Sequence, residues 1–141
     1  MTDVLTNEQR SRNMAAIRGK NTKPEIRVRS LLHSLGYRFR LHRKDLPGKP
    51  DIVLPKYQTA VFVHGCFWHC HECRYGRVVP ATRQEFWAEK RRGNVERDER
   101  VQRELEAAGW RVVTVWECET RMMEALETRL KSDLSIMIRN P

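Results

Sequence analysis

Acidic residues are the scarce charge in this 141-residue chain. Asp and Glu number 18 against 27 Lys and Arg, a formal net charge of +9. That deficit speaks against a cationic partner and points to a polyanion, most often nucleic acid. Long apolar runs are absent, and none approaches the roughly 20 residues of a membrane-spanning helix. A basic membrane-surface helix fits the charge, but no segment pairs a clean basic face with an apolar one. The opening residues Met1-Thr2-Asp3-Val4-Leu5-Thr6-Asn7-Glu8 lack the apolar core of a secretory signal. The expectation is a cytoplasmic protein with no membrane partner. Cysteine is sparse, at four residues. In a reducing compartment these are expected as metal ligands rather than disulfides. Repeats, low-complexity stretches and long linkers are also missing, which leaves one domain large enough for a real core.

The cysteines that are present cluster. His64-Gly65-Cys66-Phe67-Trp68-His69-Cys70-His71-Glu72-Cys73 packs three cysteines, three histidines and two large aromatics into ten residues. Thiolate and imidazole at this density are soft metal ligands. Phe67 and Trp68 are neighbours and cannot both enter one small core, so at least one is expected at the surface. A rigid aromatic wedge on a basic protein is suited to entering a base stack.

Along the chain, residues 1–20 read as a DNA-gripping arm and residues 21–141 as a single domain. In the arm, Thr6-x-x-Gln9 has capping-box spacing, and Met14 and Ile17 form an apolar tip among Arg10, Arg12, Arg18 and Lys20. A frayed terminal helix explains the same residues equally well. Thr22-x-x-Glu25 caps a helix with Pro24 in its first turn. Ile26, Val28, Leu31, Leu32 and Leu35 give that helix one apolar face, and Gly36 stops it. Strands are expected over 37–41, 51–54 and 59–63, the last a continuous apolar run suited to a central position. Thr82-x-x-Glu85 caps a long, charged helix running to about Ala108. A fourth strand follows over 111–116 and a last helix over 120–137. The order implies an α/β fold, a mixed sheet flanked by helices.

Two groups carry chemistry. Cys66, His71, Cys73 and Cys118 can form a closed tetrahedral zinc site, which is structural because it leaves no open position. A local set of Cys66, Cys70 and Cys73 is the rival. Asp51, after a turn, and Glu25, on a capped helix, offer hard oxygens suited to Mg²⁺ and a substrate phosphate. An ordinary turn carboxylate is the plainer reading of Asp51. His64 and His69 lie beyond the next strand, where a neutral imidazole can take a proton from water or assist at a leaving oxygen. Together they look like a phosphodiesterase site. A restriction endonuclease acting on matched duplex and a non-catalytic, zinc-dependent DNA-binding module are the other classes that fit.

Six stretches resemble the very short patch repair (Vsr) endonucleases, bacterial DNA mismatch enzymes. They are Ser11-Arg12-Asn13-Met14-Ala15-Ala16-Ile17, Leu46-Pro47-Gly48-Lys49-Pro50-Asp51 and Val63-His64-Gly65-Cys66-Phe67-Trp68-His69. Then come Pro80-Ala81-Thr82-Arg83-x-Glu85-Phe86-Trp87, Asn94-Val95-Glu96-Arg97-Asp98, and Gly109-Trp110-Arg111-Val112 with Val115-Trp116-Glu117-Cys118. They follow the family's order across nearly the whole chain.

The resemblance implies a type II restriction-endonuclease-like fold of the PD-(D/E)xK superfamily with a structural zinc. It implies hydrolysis of one strand 5′ to the thymine of a T·G mismatch left by deamination of 5-methylcytosine. Asp51 then looks like the Mg²⁺ ligand, with the backbone carbonyl of Val63 beside it and Glu25 acting through water. His69 would be the general base and His64 would assist at the phosphate. Phe67, Trp68 and Trp87 would intercalate, Met14 and Ile17 would grip from the arm, and Cys66, His71, Cys73 and Cys118 would bind zinc. Double-stranded DNA carrying the mismatch, mismatch-repair proteins such as MutL, a monomeric state and a nucleoid location follow from the same resemblance. Two departures are visible. The Glu-x-Lys pair usual in restriction enzymes is absent, as in this family, and Cys70 stands where some relatives have His.

Overall fold

The computed structural model describes residues 22–137. The arm at 1–20, with Met14 and Ile17, lies outside the described residues. The elements run α1 (Lys23–Ser34), β1 (Arg40–Leu41), β2 (Ile52–Leu54), β3 (Thr59–His64), α2 (Gln84–Ala107), β4 (Arg111–Trp116) and α3 (Met123–Met137). Short 3₁₀ turns over Pro55–Tyr57 and Glu117–Arg121 join β2 to β3 and β4 to α3.

The four strands form one mixed sheet in the order β1-β2-β3-β4. β2 is antiparallel to β1 and β3, whereas β3 and β4 run parallel with Val63 beside Val115 and His64 beside Trp116. Parallel neighbours need a long crossover, and the chain from the cysteine loop through α2 supplies it.

Alternation along the strands divides the core in two. Ile52, Leu54, Val61, Val113 and Val115 point to one face, where Val28, Leu31 and Leu32 of α1 meet Leu126, Leu130 and Leu134 of α3. Ala60, Phe62 and Val112 point to the other, against Val101 and Leu105 of α2. β3 is therefore covered on both sides, which is why it reads as an unbroken apolar run. Leu126, Leu130 and Leu134 fall every four residues and are each 1% exposed, one narrow stripe that seats α3.

Local signals decide where elements begin and end. Thr22 caps α1, its Oγ1 accepting the Glu25 N–H at 3.4 Å. Gly36 follows the helix with φ +88°, the left-handed conformation that ends helices at little cost for glycine. Ile26 departs from the expected apolar face and is 40% exposed. β1 is two residues rather than the five expected, because Tyr37 and Phe39 pack on the core without pairing in the sheet. Thr82 does not cap α2. Arg83 occupies the cap position with left-handed backbone and no side-chain cap bond. The last helix starts at Met123 rather than Thr120, since residues 117–121 form the 3₁₀ turn. Gly48 has φ +74° and sits so close to the Val101 side chain that a β-carbon would collide with it. That contact tucks the 46–50 turn under α2 and delivers Asp51 to the sheet.

Candidate active site

The C-terminal end of β3 opens into a cleft of about 1080 Å³. Glu25, Asp51, His64, Trp68, His69 and Asp98 all line it, with Lys23, Lys49, Lys90 and Arg97 among its other walls. These four cations are exposed, where they can meet phosphates.

One end of the cleft is acidic. Asp51 leads into β2, and its Oδ2 accepts the Val63 N–H at 2.8 Å. Burial pushes the Asp51 carboxyl up to about 6; the Val63 bond works against this rise and the nearby Glu25 charge adds to it. Glu25 is 2% exposed on the first turn of α1. Its Oε2 takes hydrogen bonds from Arg29 at 3.1 Å and His42 Nε2 at 2.9 Å. One donor atom each from Glu25, His42 and Asp51 falls within 4.8 Å of the others, so this trio can hold a cation.

The other end carries two imidazoles. His64 and His69 stack face to face, with ring centroids 3.8 Å apart and planes 4° from parallel. His69 Nδ1 lies 2.5 Å from Asp98 Oδ2. A carboxylate can only accept, so with Asp98 as carboxylate the Nδ1 atom carries the proton and Nε2 keeps the lone pair. Burial, reinforced by the neighbouring His69, lowers His64 to about 4 against the pull of Asp98. His64 is therefore neutral at physiological pH. His64, His69 and Asp98 also converge within 4.8 Å. An ion bound to both imidazoles would lie far out of each ring plane, so the stacking suits proton transfer better than coordination.

Beside the cleft, Cys66, His71, Cys73 and Cys118 bring their ligand atoms within 4.8 Å and can hold a metal ion. Cys118, from the turn after β4, donates its N–H to Cys66 Sγ at 3.4 Å and places Sγ 3.5 Å from His71 Nδ1. The His71 ring stacks on Trp116 at 4.1 Å. Burial pushes the Cys66 thiol up to about 12. Burial also opposes the Cys73 thiolate, but hydrogen bonds from the Gly76 backbone, His71 and Cys66 bring it down to about 6. Cys70 is exposed and outside the cluster. Its φ of 53° turns the chain so that His71 rather than Cys70 points inward. The rival local set is thus not the one the fold assembles.

Phe67, Trp68 and Trp87 form a half-buried ring cluster with centroids 5.3–6.0 Å apart, extended by Phe86, which is 43% exposed. Trp87 and Phe86 belong to α2, and a single face of that helix holds the loop that carries Phe67 and Trp68. Arg91 Nε donates to the Phe67 carbonyl at 2.7 Å, and its guanidinium also reaches the Val78 and Gly76 carbonyls and covers the Phe67 ring at 4.4 Å. Asn94 donates to the Trp68 carbonyl at 3.0 Å. Asp98 then holds the His69 ring. Three consecutive loop residues are thus clamped by three residues one helical turn apart.

A family model for the DNA mismatch endonuclease Vsr matches residues 2–75. The chain belongs to the Vsr family. The DNA mismatch endonuclease Vsr of Escherichia coli K12 is 50% identical over 126 residues, spanning 89% of this chain and 80% of that one. The type II nicking enzyme V.XorIIP of Xanthomonas oryzae pv. oryzae is 55% identical over 134 residues, 95% and 98% of the two chains. The catalytic domain of the homing endonuclease I-Bth0305I superposes with TM-score 0.59 over 84% of this chain and 99% of that domain. At 23% identity that likeness speaks for the fold alone. Family membership makes this chain a DNA-nicking endonuclease of the mismatch-repair class.

In this Vsr-family enzyme the fold gathers Glu25, Asp51, His64 and His69 around one cleft, with Trp68 at its wall, as the sequence led one to expect. Phe67 and Trp87 complete the ring cluster with Trp68. Sequence reasoning assigned no role to His42, Asp98, Asn94 or Arg91. A signal existed for three of them. Trp87, Arg91, Asn94, Asp98, Val101 and Leu105 recur at alternating spacings of three and four, one continuous stripe down α2. For His42 there was none, because its place depends on the pairing of β1 with β2.

Proposed function

We propose that this Vsr-family endonuclease nicks the thymine strand on the 5′ side of the thymine in a T·G mismatch, with Mg²⁺ as catalytic cofactor. The observation that carries this reading is the division of one cleft into a carboxylate end, Asp51 with Glu25, and a proton-handling end, His69 with Asp98. The carboxylate end fits the ion. Two hard anionic groups share a buried corner, and the burial that raises the Asp51 carboxyl, with the Glu25 charge adding to it, is a cost that a cation would relieve. Asp51 would hold it, with Val63 supplying a backbone carbonyl, since a strand residue's N–H and C=O leave from the same edge. Glu25 would reach it through water. When bound, the ion supplies Lewis-acid stabilisation of charge on the phosphate.

The remaining roles follow from the chain's own groups. His69 Nε2 takes a proton from the attacking water, and the Asp98 carboxylate steadies the imidazolium that results. Neutral His64, stacked on His69, donates a hydrogen bond to the phosphate. Phe67, Trp68 and Trp87 enter the base stack beside the mismatch. Unstacking costs a few kcal/mol per step, and base–aromatic stacking returns roughly 1–3 kcal/mol per ring. A T·G wobble is easier to distort than a matched pair, which gives the wedge its selectivity. A zinc ion on Cys66, His71, Cys73 and Cys118 keeps the wedge loop rigid, and the soft donor set suits that metal. Met14 and Ile17 on the arm grip from the opposite groove. A monomer suffices because the mismatch has no two-fold symmetry.

The same reading places the chain in the PD-(D/E)xK superfamily and leaves mismatch-repair proteins such as MutL as partners. The test is nicking of end-labelled duplexes in Mg²⁺. Cleavage confined to the thymine strand of a T·G duplex supports the proposal. Equal cleavage of the matched duplex would make it a restriction-type nickase instead.

A further inference from the structure

His42 stands beside Asp51 and Glu25 and takes no part in the proton transfer. Its Nε2 lies 2.9 Å from Glu25 Oε2, and the imidazole is largely buried. The backbone is built to keep it there. The His42 N–H donates to the Asp51 carbonyl at 3.1 Å, immediately after β1. His42 has φ 50°, a left-handed conformation unfavourable for a non-glycine residue. One donor atom from each of Glu25, His42 and Asp51 lies within 4.8 Å of the others. The 2.9 Å separation is a hydrogen bond in the absence of an ion.

We propose that His42 is a nitrogen donor to the divalent cation held by Asp51, and that it makes this site favour Mn²⁺ and Co²⁺ over Mg²⁺. The proposal rests on the reading of Asp51 and Glu25 as a cation site. Imidazole suits first-row transition ions, whereas Mg²⁺ prefers oxygen ligands and keeps its waters. A site of carboxylates and carbonyls alone shows that preference more weakly. Glu25 is not orphaned when His42 turns its lone pair to the ion, because Arg29 still donates to the same oxygen at 3.1 Å.

The experiment titrates the purified full chain with MnCl₂ and with MgCl₂ by calorimetry, and examines the Mn²⁺ complex for ¹⁴N coupling by pulsed electron paramagnetic resonance. H42Q keeps a hydrogen-bond donor for Glu25 but has no imidazole nitrogen. The expected result is a ¹⁴N coupling in wild type that vanishes in H42Q. Mn²⁺ affinity falls about tenfold or more, while Mg²⁺ affinity moves by less than about threefold. An unchanged Mn²⁺ to Mg²⁺ ratio, or a coupling that survives in H42Q, overturns the proposal. D51N separates the two levels. Loss of binding in D51N without any effect of H42Q rejects His42 alone, and full Mn²⁺ binding in D51N rejects the cation site itself. Circular dichroism and melting curves check that H42Q is folded. If it is not, H42N is read by the same criteria.

Discussion

Asp98→Asn tests the least sequence-legible part of the proposed chemistry. The Asp98 carboxylate accepts the His69 Nδ1 proton at 2.5 Å and lies 3.9 Å from His64 Nε2. Asn is nearly isosteric, so the cleft and the helix stripe keep their shape. Two things change. The charge that steadies a His69 imidazolium is removed, and the amide can present N–H₂ instead of an acceptor, which favours the wrong tautomer. A hydrogen bond to a charged group contributes about 1.5–3 kcal/mol, or roughly 10–150-fold in rate at about 1.4 kcal/mol per decade. The tautomer effect adds to this, so a fall of about 10²–10⁴ is expected, the range of general base catalysis. The assay is single-turnover nicking of a T·G duplex at saturating enzyme, with DNA affinity measured in parallel without divalent metal. Affinity should change by less than about threefold, because Asp98 contributes nothing attractive to a phosphate. A D98N nicking rate within threefold of wild type would refute the His69–Asp98 relay.

Other outcomes follow from the same geometry. Asp51→Asn should abolish nicking yet stabilise the metal-free fold at pH 7.5. Its carboxyl is raised from 3.8 to about 6, so the ionised form opposes folding by up to about 3 kcal/mol above pH 6. The advantage of D51N should therefore shrink as pH falls through 6 and disappear below about 4; thermal melts in chelator that show no such convergence would count against a buried Asp51. His64 has the opposite sign. Its lowering to about 4 contributes stability above pH 6.5 that is lost as pH falls toward 4, so His64→Gln should flatten the acid limb of the melting curve. Cys118→Ser should lower bound zinc, measured by atomic absorption, whereas Cys70→Ser should not, since only Cys118 reaches the cluster; equal loss in both would revive the local ligand set. Trp68→Ala should weaken binding to T·G duplex by about 5–150-fold and to matched duplex far less. Equal losses by fluorescence anisotropy would reduce Trp68 to a support of the loop.

What depends on local pattern could be read from the residues directly. Thr22-x-x-Glu25 with Pro24 and Gly36 set α1, and the apolar run 59–63 set the central strand, because caps and periodicity act over a few residues. The density of Cys and His made a candidate metal cluster readable, and the matching stretches made the family readable. Tertiary structure decided the rest. Thr82 carried a capping box in sequence, but the loop held by Arg91 enters α2 at Arg83 with left-handed backbone, so the box never forms. Cys70 and His71 are adjacent and equally able ligands; only the turn at Cys70 and the approach of Cys118 from β4, 47 residues beyond His71, chose between them. Arg91, Asn94 and Asp98 looked like a solvated helix face because charge hides periodicity when polar residues do the packing. Their partners at 67, 68 and 69 meet them only once β3 and β4 are parallel neighbours and α2 lies across them. His42 joined Asp51 through strand pairing. A residue's chemistry is written in its side chain, but its partner is fixed by contacts distant in sequence, and those belong to the fold.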